Sequence, residues 1–381
     1  MKAKLRFLFV VLAWVAGVHQ AIAQLPVITS LSQNGMLVCT NLQTNTVASV
    51  EWASSPSGPW QTNWAGLDAV AVNSNGAIEV GVPMFFRVRG VAHTNSAPPN
   101  MVLIPAGSFV MGNRIVSSVV TNDPDITDAG PTNVFVSAFY MDINLITYTQ
   151  WKTVYTYATN NGYSFVNSGA GKATNCPVET VNWSDCVKWS NARSQQEGLI
   201  PCYYTDAAFT HVFTNGDYLT TVYLNATNNG YRLPTEAEWE KAARGGLSGN
   251  RFPWGNTISE SQANYLGDTN DVSYDLGPNG YNAIGLIGGL PYTSPVGSFA
   301  ANGYGLFDMG GNVWEWCSDW YGTAYGQPTA TNPTGPTTGG YRVLRGGDWS
   351  SSASGPRCAL RGADFPYQAN NKYGFRCVRG I

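Results

Sequence analysis

Three glycine- and aromatic-rich segments near the C-terminus constrain this chain more than any other feature. They are NGYGLFDMGGNVWEWCSDWYG from Asn302, RVLRGGDW from Arg342 to Trp349, and GFRC from Gly374 to Cys377. Each sets large rings beside charged side chains and, in the first two, paired glycines. Such rings fill a core, and the glycines let the backbone turn where a Cβ would obstruct it. YRLPTEAEWEKAARGG (Tyr231 to Gly246) and FPWGN (Phe252 to Asn256) continue the pattern upstream. Strand-length pieces and Gly-rich loops make up most of the rest, without an internal repeat or a low-complexity tract.

Together these segments resemble the formylglycine-generating enzyme family, also called sulfatase-modifying factors. The resemblance begins at Met101 and covers the remainder, residues 101–381. It implies a compact α+β domain related to C-type lectins and low in regular secondary structure. Composition agrees, with 12% charged residues and 42 Gly in 381, against roughly 25% charged and 7% Gly in an average protein.

Ahead of that domain, residues 1–23 read as a secretory signal. Lys2, Lys4 and Arg6 precede the apolar run Phe7 to Val18, and Ala21-Ile22-Ala23 offers cleavage before Gln24. A secreted or periplasmic protein is expected, with no transmembrane anchor, because the apolar run is too short and no second one follows. Residues 24–91 carry β-branched and aromatic runs, Val47 to Trp52, Ala77 to Val82 and Phe85 to Val91, between turn residues, which predicts a small all-β, sandwich-like domain. Residues 92–100 are polar and proline-bearing and read as a linker. The net charge of −3 gives no bulk attraction to nucleic-acid phosphates or anionic lipid.

Three helices have start signals. Thr147 with Gln150 and Thr235 with Glu238 form capping boxes, and Ser184 is expected to cap the third. Asn160-Asn161-Gly162, Gly198 and Gly245-Gly246 are the stops.

For chemistry, the resemblance implies a calcium held at FDMGGNVWEW by Asp308, the carbonyls of Gly311 and Val313, and Glu315. Two carboxylates and two backbone oxygens suit that hard cation, and Gly310-Gly311 lets the carbonyls turn inward. The alternative is that Asp308 and Glu315 pair with nearby arginines. A second implied calcium has only its first half here, Asn264 and the carbonyl of Tyr265. No carboxylate stands before TSPVG, although Asp268, Asp271 or Asp275 could compensate.

The family's oxidases hold Cu(I) on two thiolates after the Gly-Gly motif. Here Ser351 stands near the first position and Pro356 near the second, so copper is not expected. Histidine-bound iron is excluded as well, because only His93 and His211 follow the signal. No GxSxG, P-loop or HExxH motif occurs.

Seven cysteines fit an oxidising compartment, and their odd number leaves at least one unpaired, with Cys39 expected as a buried thiol. Cys358 and Cys377 match structural disulfide cysteines of the family, while Ser190 and Ala243 stand at their partners' positions. Cys186, one helical turn before Ser190, is a substitute partner.

The loop after Gly347 offers Asp348, Trp349, Ser350, Ser351, Arg357 and Arg361 as a candidate ligand cleft for a peptide, protein or glycan. The competing reading puts Trp349 in the core and the arginines in ion pairs. The expected function is a secreted, calcium-stabilised binding or scaffold module of a bacterial surface type, without copper oxidase activity. One alternative is an enzyme of the family, oxidising the cysteine of a CxPxR motif to formylglycine or modifying another substrate. Another is a displayed, variable ligand-binding protein.

Overall fold

The computed structural model describes residues 27–31, 36–42, 47–53, 70–81, 85–90, 97–113, 123–322 and 330–381. The proposed signal segment and His93 lie outside them. The chain divides into two compact units, Met1–Ser96 and Ala97–Ile381.

The first unit contains two antiparallel sheets. Val27–Leu31, Met36–Thr40 and Ile78–Gly81 lie side by side in that order, and Val47–Ala53 is flanked by Val70–Ala71 and Phe85–Gly90. The runs predicted at 47–52, 77–82 and 85–91 fall on three of these strands.

The second unit is closed by its own ends. Phe139–Asp142 pairs with Met101–Ile104 on one side and with Val378–Arg379 on the other, both antiparallel. A four-stranded sheet carries the C-terminal signature, in the order Gly362–Asp364, Arg342–Arg345, Trp314–Trp320, Tyr373–Gly374. Trp314–Trp320 runs antiparallel to Arg342–Arg345 and parallel to Tyr373–Gly374, so all three signature segments meet in one sheet.

Helices α1 (Tyr148–Asn160) and α3 (Glu236–Ala243) begin at the predicted capping boxes. Helix α2 (Trp183–Gln196) is capped by Asn182 rather than Ser184. The Asn182 side chain accepts from Asp185 N at 2.8 Å, which starts the helix early and puts Ser184 inside its first turn. A short helix, α4, covers Ala283–Leu286.

Two cores result. Trp151 of α1 stacks on Trp189 of α2 at 5.9 Å and 2°, with Phe375 of GFRC edge-on to both. Around Trp239, Ala242 and Ala243 of α3 gather Met141, Cys317, Val343 and Cys358. Among the described residues no helix is long and apolar enough to cross a membrane.

Candidate functional site

The segment from Asp308 to Glu315 turns through left-handed backbone at three of its residues, Asp308 (φ 54°), Gly311 (φ 82°) and Asn312 (φ 69°). Gly311 has to be glycine, since an added Cβ would sit 2.3 Å from the Asn264 carbonyl oxygen. Asn312 N donates to that same oxygen at 2.8 Å and Gly311 N to Gly346 O at 2.7 Å. The backbone thus joins the two implied calcium regions and ties both to the Gly346-Gly347 turn.

Glu315 is fully buried and receives Arg376 on both oxygens, Nε to Oε2 at 2.7 Å and Nη2 to Oε1 at 3.1 Å. The pairing foreseen as an alternative therefore holds for Glu315. Asp308 differs: its Oδ2 accepts from Gly297 N at 2.7 Å, while Arg376 reaches only its carbonyl. Burial lifts the Asp308 carboxyl to about 6, the neighbouring Glu315 adds to the rise, and Gly297 N–H and Arg376 oppose it.

Two buried carboxylates facing one guanidinium leave a negative charge uncompensated, which a cation would relieve. Asn144 Oδ1, buried without a partner, lies beside the same Gly297. The donors here are all hard oxygens and fit calcium, with Asp308 as anchor and Asn144 as an oxygen that the sequence motif had not disclosed. Glu315 would act mainly through its charge.

The second implied calcium does not fit. Asn264 Oδ1 is buried and unpartnered, as is Glu260 Oε1, which faces Asp275 rather than belonging to the implied ligand set. Asp275 accepts from Tyr265 Oη at 2.5 Å, Asp268 N at 2.7 Å and Gly277 N at 2.9 Å, so it shapes its own loop. Asp268 turns onto Asn270. The positive charge in this region is the Lys172 ammonium, which donates to the carbonyls of Gly285 and Thr293. Gly285 in turn abuts Asn264 Oδ1.

In the candidate ligand cleft the competing reading holds for Trp349 and both arginines. Asp348 is buried and caps its own turn: Oδ1 accepts from Ser350 N and Oγ, and Oδ2 from Ser351 Oγ at 3.0 Å. Trp349 is buried against Tyr281 and Tyr292, with its Nε1 donating to Asn371 O. Arg357 pairs with Asp125 and Asp123, and Arg361 with Glu236. Of the six residues, Ser350, Ser351 and Arg361 are partly exposed, although the Arg361 side chain is itself buried in its ion pair. Pairing partners far away in sequence, which a local motif cannot reveal, draw the arginines inward.

The disulfide expectation fails too, since all seven cysteines are buried free thiols. Cys377 Sγ lies 3.5 Å from Ser190 Oγ, so a serine occupies the place of its sulfur partner. Cys358 sits in the other core with Ala243. Cys186 shares the core of Cys377, and burial raises both thiols, Cys377 to about 12.

Comparison with known proteins agrees with this architecture. The Sulfatase-modifying factor enzyme 1-like domain matches residues 88–381. The chain belongs to the sulfatase-modifying factor family. Formylglycine-generating enzyme of Bos taurus is 33% identical over 303 residues, covering 74% of this chain and 75% of that protein. Serine/threonine-protein kinase pkn1 of Chlamydia caviae is 44% identical over 155 residues, 40% of this chain but only 21% of the kinase. Among solved structures, Treponema denticola variable protein 1 superposes with a TM-score of 0.53 at 26% identity, covering 73% of this chain and 95% of that one. Helices are few and the sheets mixed, an α+β fold low in regular structure.

Proposed function

We propose that this protein is a secreted, calcium-stabilised binding or scaffold module of the sulfatase-modifying factor family that works without copper oxidation. The loop after Gly347 carries the reading. Ser351 stands near the first thiol position and its hydroxyl is spent on Asp348. The nearest thiol, Cys358, is fully buried and pushed up to about 12 by burial. A thiol so placed does not supply the thiolate that Cu(I) ligation needs to engage a substrate cysteine. The uncompensated charge at Asp308 and Glu315 supports the calcium, and the basic-then-apolar N-terminus supports secretion.

Incubating copper-loaded protein with a CxPxR peptide and following the peptide thiol by mass spectrometry tests the oxidase question. No conversion is expected. Conversion that disappears in Cys358→Ser would overturn the proposal and favour the enzyme reading, which the identity to the Bos taurus enzyme supports. The likeness to Treponema denticola variable protein 1 supports a third reading, in which the segment from Asp348 to Tyr373 is diversified for ligand binding. A near-copy of its coding sequence beside the gene would mark that version.

A further inference from the structure

Several buried arginines of the second unit present the same edge to their acids, while others, Arg232 and Arg357 among them, grip with both Nη groups. Arg251, Arg361 and Arg376 each use Nε and Nη2, the two N–H groups on one side of the guanidinium, to grip Asp123, Glu236 and Glu315. Arg342 breaks this pattern. It is 8% exposed, its Nη1 donates to Ser318 O, and its Nε is buried with no partner. No described residue bonds its Nη2, and the second unit's undescribed stretches, 114–122 and 323–329, contain no Asp or Glu.

The carboxylates that could have paired with it are engaged elsewhere. Asp364, directly across the sheet from Arg342, accepts from Tyr373 Oη at 2.6 Å and Phe365 N at 2.8 Å. Asp319 accepts from Glu236 N and Ser318 Oγ. Asp185 is held by Val166, Asn167 and Lys188. What holds Arg342 instead is a pair of rings, Trp183 at 3.7 Å and Trp320 at 3.5 Å from the guanidinium carbon to the ring centres. Burial pulls its pKa down to about 9, against the opposing influence of Tyr203 and Asp319.

Arg342 lines a cavity of about 270 Å³ together with Trp183, Ser184 and Trp320. Ser184 lies in the first turn of α2, 1% exposed, and its hydroxyl also has no partner. Two buried, unspent polar side chains therefore line one cavity, at the end of a helix whose dipole favours an anion. The volume is at the lower end of small-molecule sites. Its mouth is set with the hydroxyls of Thr221, Thr337 and Thr338 and with the exposed ring of Tyr218.

We propose that this cavity binds a small sugar acid, with the carboxylate on the Nε–Nη2 edge of Arg342 and on Ser184 Oγ, and the sugar hydroxyls among the rim threonines. The site shares no residue with the loop 348–361 or with the segment 308–315, and does not depend on the role of either.

Calorimetric titration of the full chain with glucuronate, with glucose and acetate as controls, tests it. Saturable 1:1 glucuronate binding is expected with a Kd on the order of 1 mM, as suits one paired carboxylate with few further contacts. Glucose should not bind, and acetate should bind about tenfold more weakly than glucuronate. Arg342→Gln should abolish glucuronate binding. Ser184→Ala, which removes one buried oxygen, should weaken it severalfold and decides the matter if the arginine variant does not fold. Thr338→Val should weaken glucuronate more than acetate. Absence of glucuronate binding, equal affinity for glucose, equal affinity for acetate, or unchanged affinity in Ser184→Ala would each overturn the proposal.

Discussion

Two single residues show how narrowly the second unit is specified. Gly347 adopts φ 74°, and a Cβ there would meet the Gly355 carbonyl carbon at 2.8 Å and Pro356 N at 3.0 Å. Gly347→Ala should therefore cost more than the roughly 1–3 kcal/mol of left-handed strain alone, read as a fall in Tm. An unchanged Tm would mean that the loop simply relaxes. Asp319 is buried on the central sheet, and its carboxyl is raised from 3.8 to about 7 by burial and by the Glu236 charge. Its folded pKa lies above its unfolded value, so between roughly pH 4 and 7 the folded state holds a proton that the unfolded chain has released. Its contribution to stability is thus greatest in acid and is lost as pH rises through that window. Asp319→Asn keeps an oxygen for Glu236 N and should flatten the decline of Tm across it, whereas a steeper decline would contradict the assignment.

Helix α3 shows what one element's sequence conceals. Trp239, Ala242 and Ala243 lie at helical spacing as an apolar stripe, but Glu236, Glu238, Glu240 and Lys241 are buried as well. Glu236 meets Arg361, Glu238 meets Arg232, and Glu240 meets both Arg244 and Arg345. Two of these partners, Arg345 and Arg361, come from the C-terminal sheet region far along the chain, so a helix that reads as half solvated is surrounded. Glu240→Ala would leave two buried guanidiniums without their shared acid and should destabilise by about 3–5 kcal/mol. Thr235→Ala, which only opens the capping box, should cost about 1 kcal/mol. Urea midpoints would rank them, and a reversed order would mean that the buried pairs add little. Caps and glycine turns were legible in the sequence because their chemistry is local. Asn182 and Ser184 are both competent caps, and it is the Asn182 side chain that accepts from Asp185 N. That Arg357 and Arg361 would pair was among the readings of the sequence, but their partners, Asp125 and Glu236, were not legible, being contacts that only the tertiary fold creates.

At the scale of the whole molecule, the ion count follows from charge. The region of Asp308 has one guanidinium, Arg376, for two buried carboxylates, and that of Asn264 already has Lys172. One calcium per chain is expected by elemental analysis after gel filtration, and its removal by EDTA should lower Tm; two ions per chain would contradict the role given to Lys172. The seven thiols have a separate, practical consequence. Each is at most 2% exposed, so the native protein offers a maleimide almost nothing to react with. An engineered surface cysteine would take a label alone. In the wild-type chain, the slow arrival of label at Cys186 or Cys377 would time the opening of the aromatic core around them, a clock for unfolding that needs no added probe site.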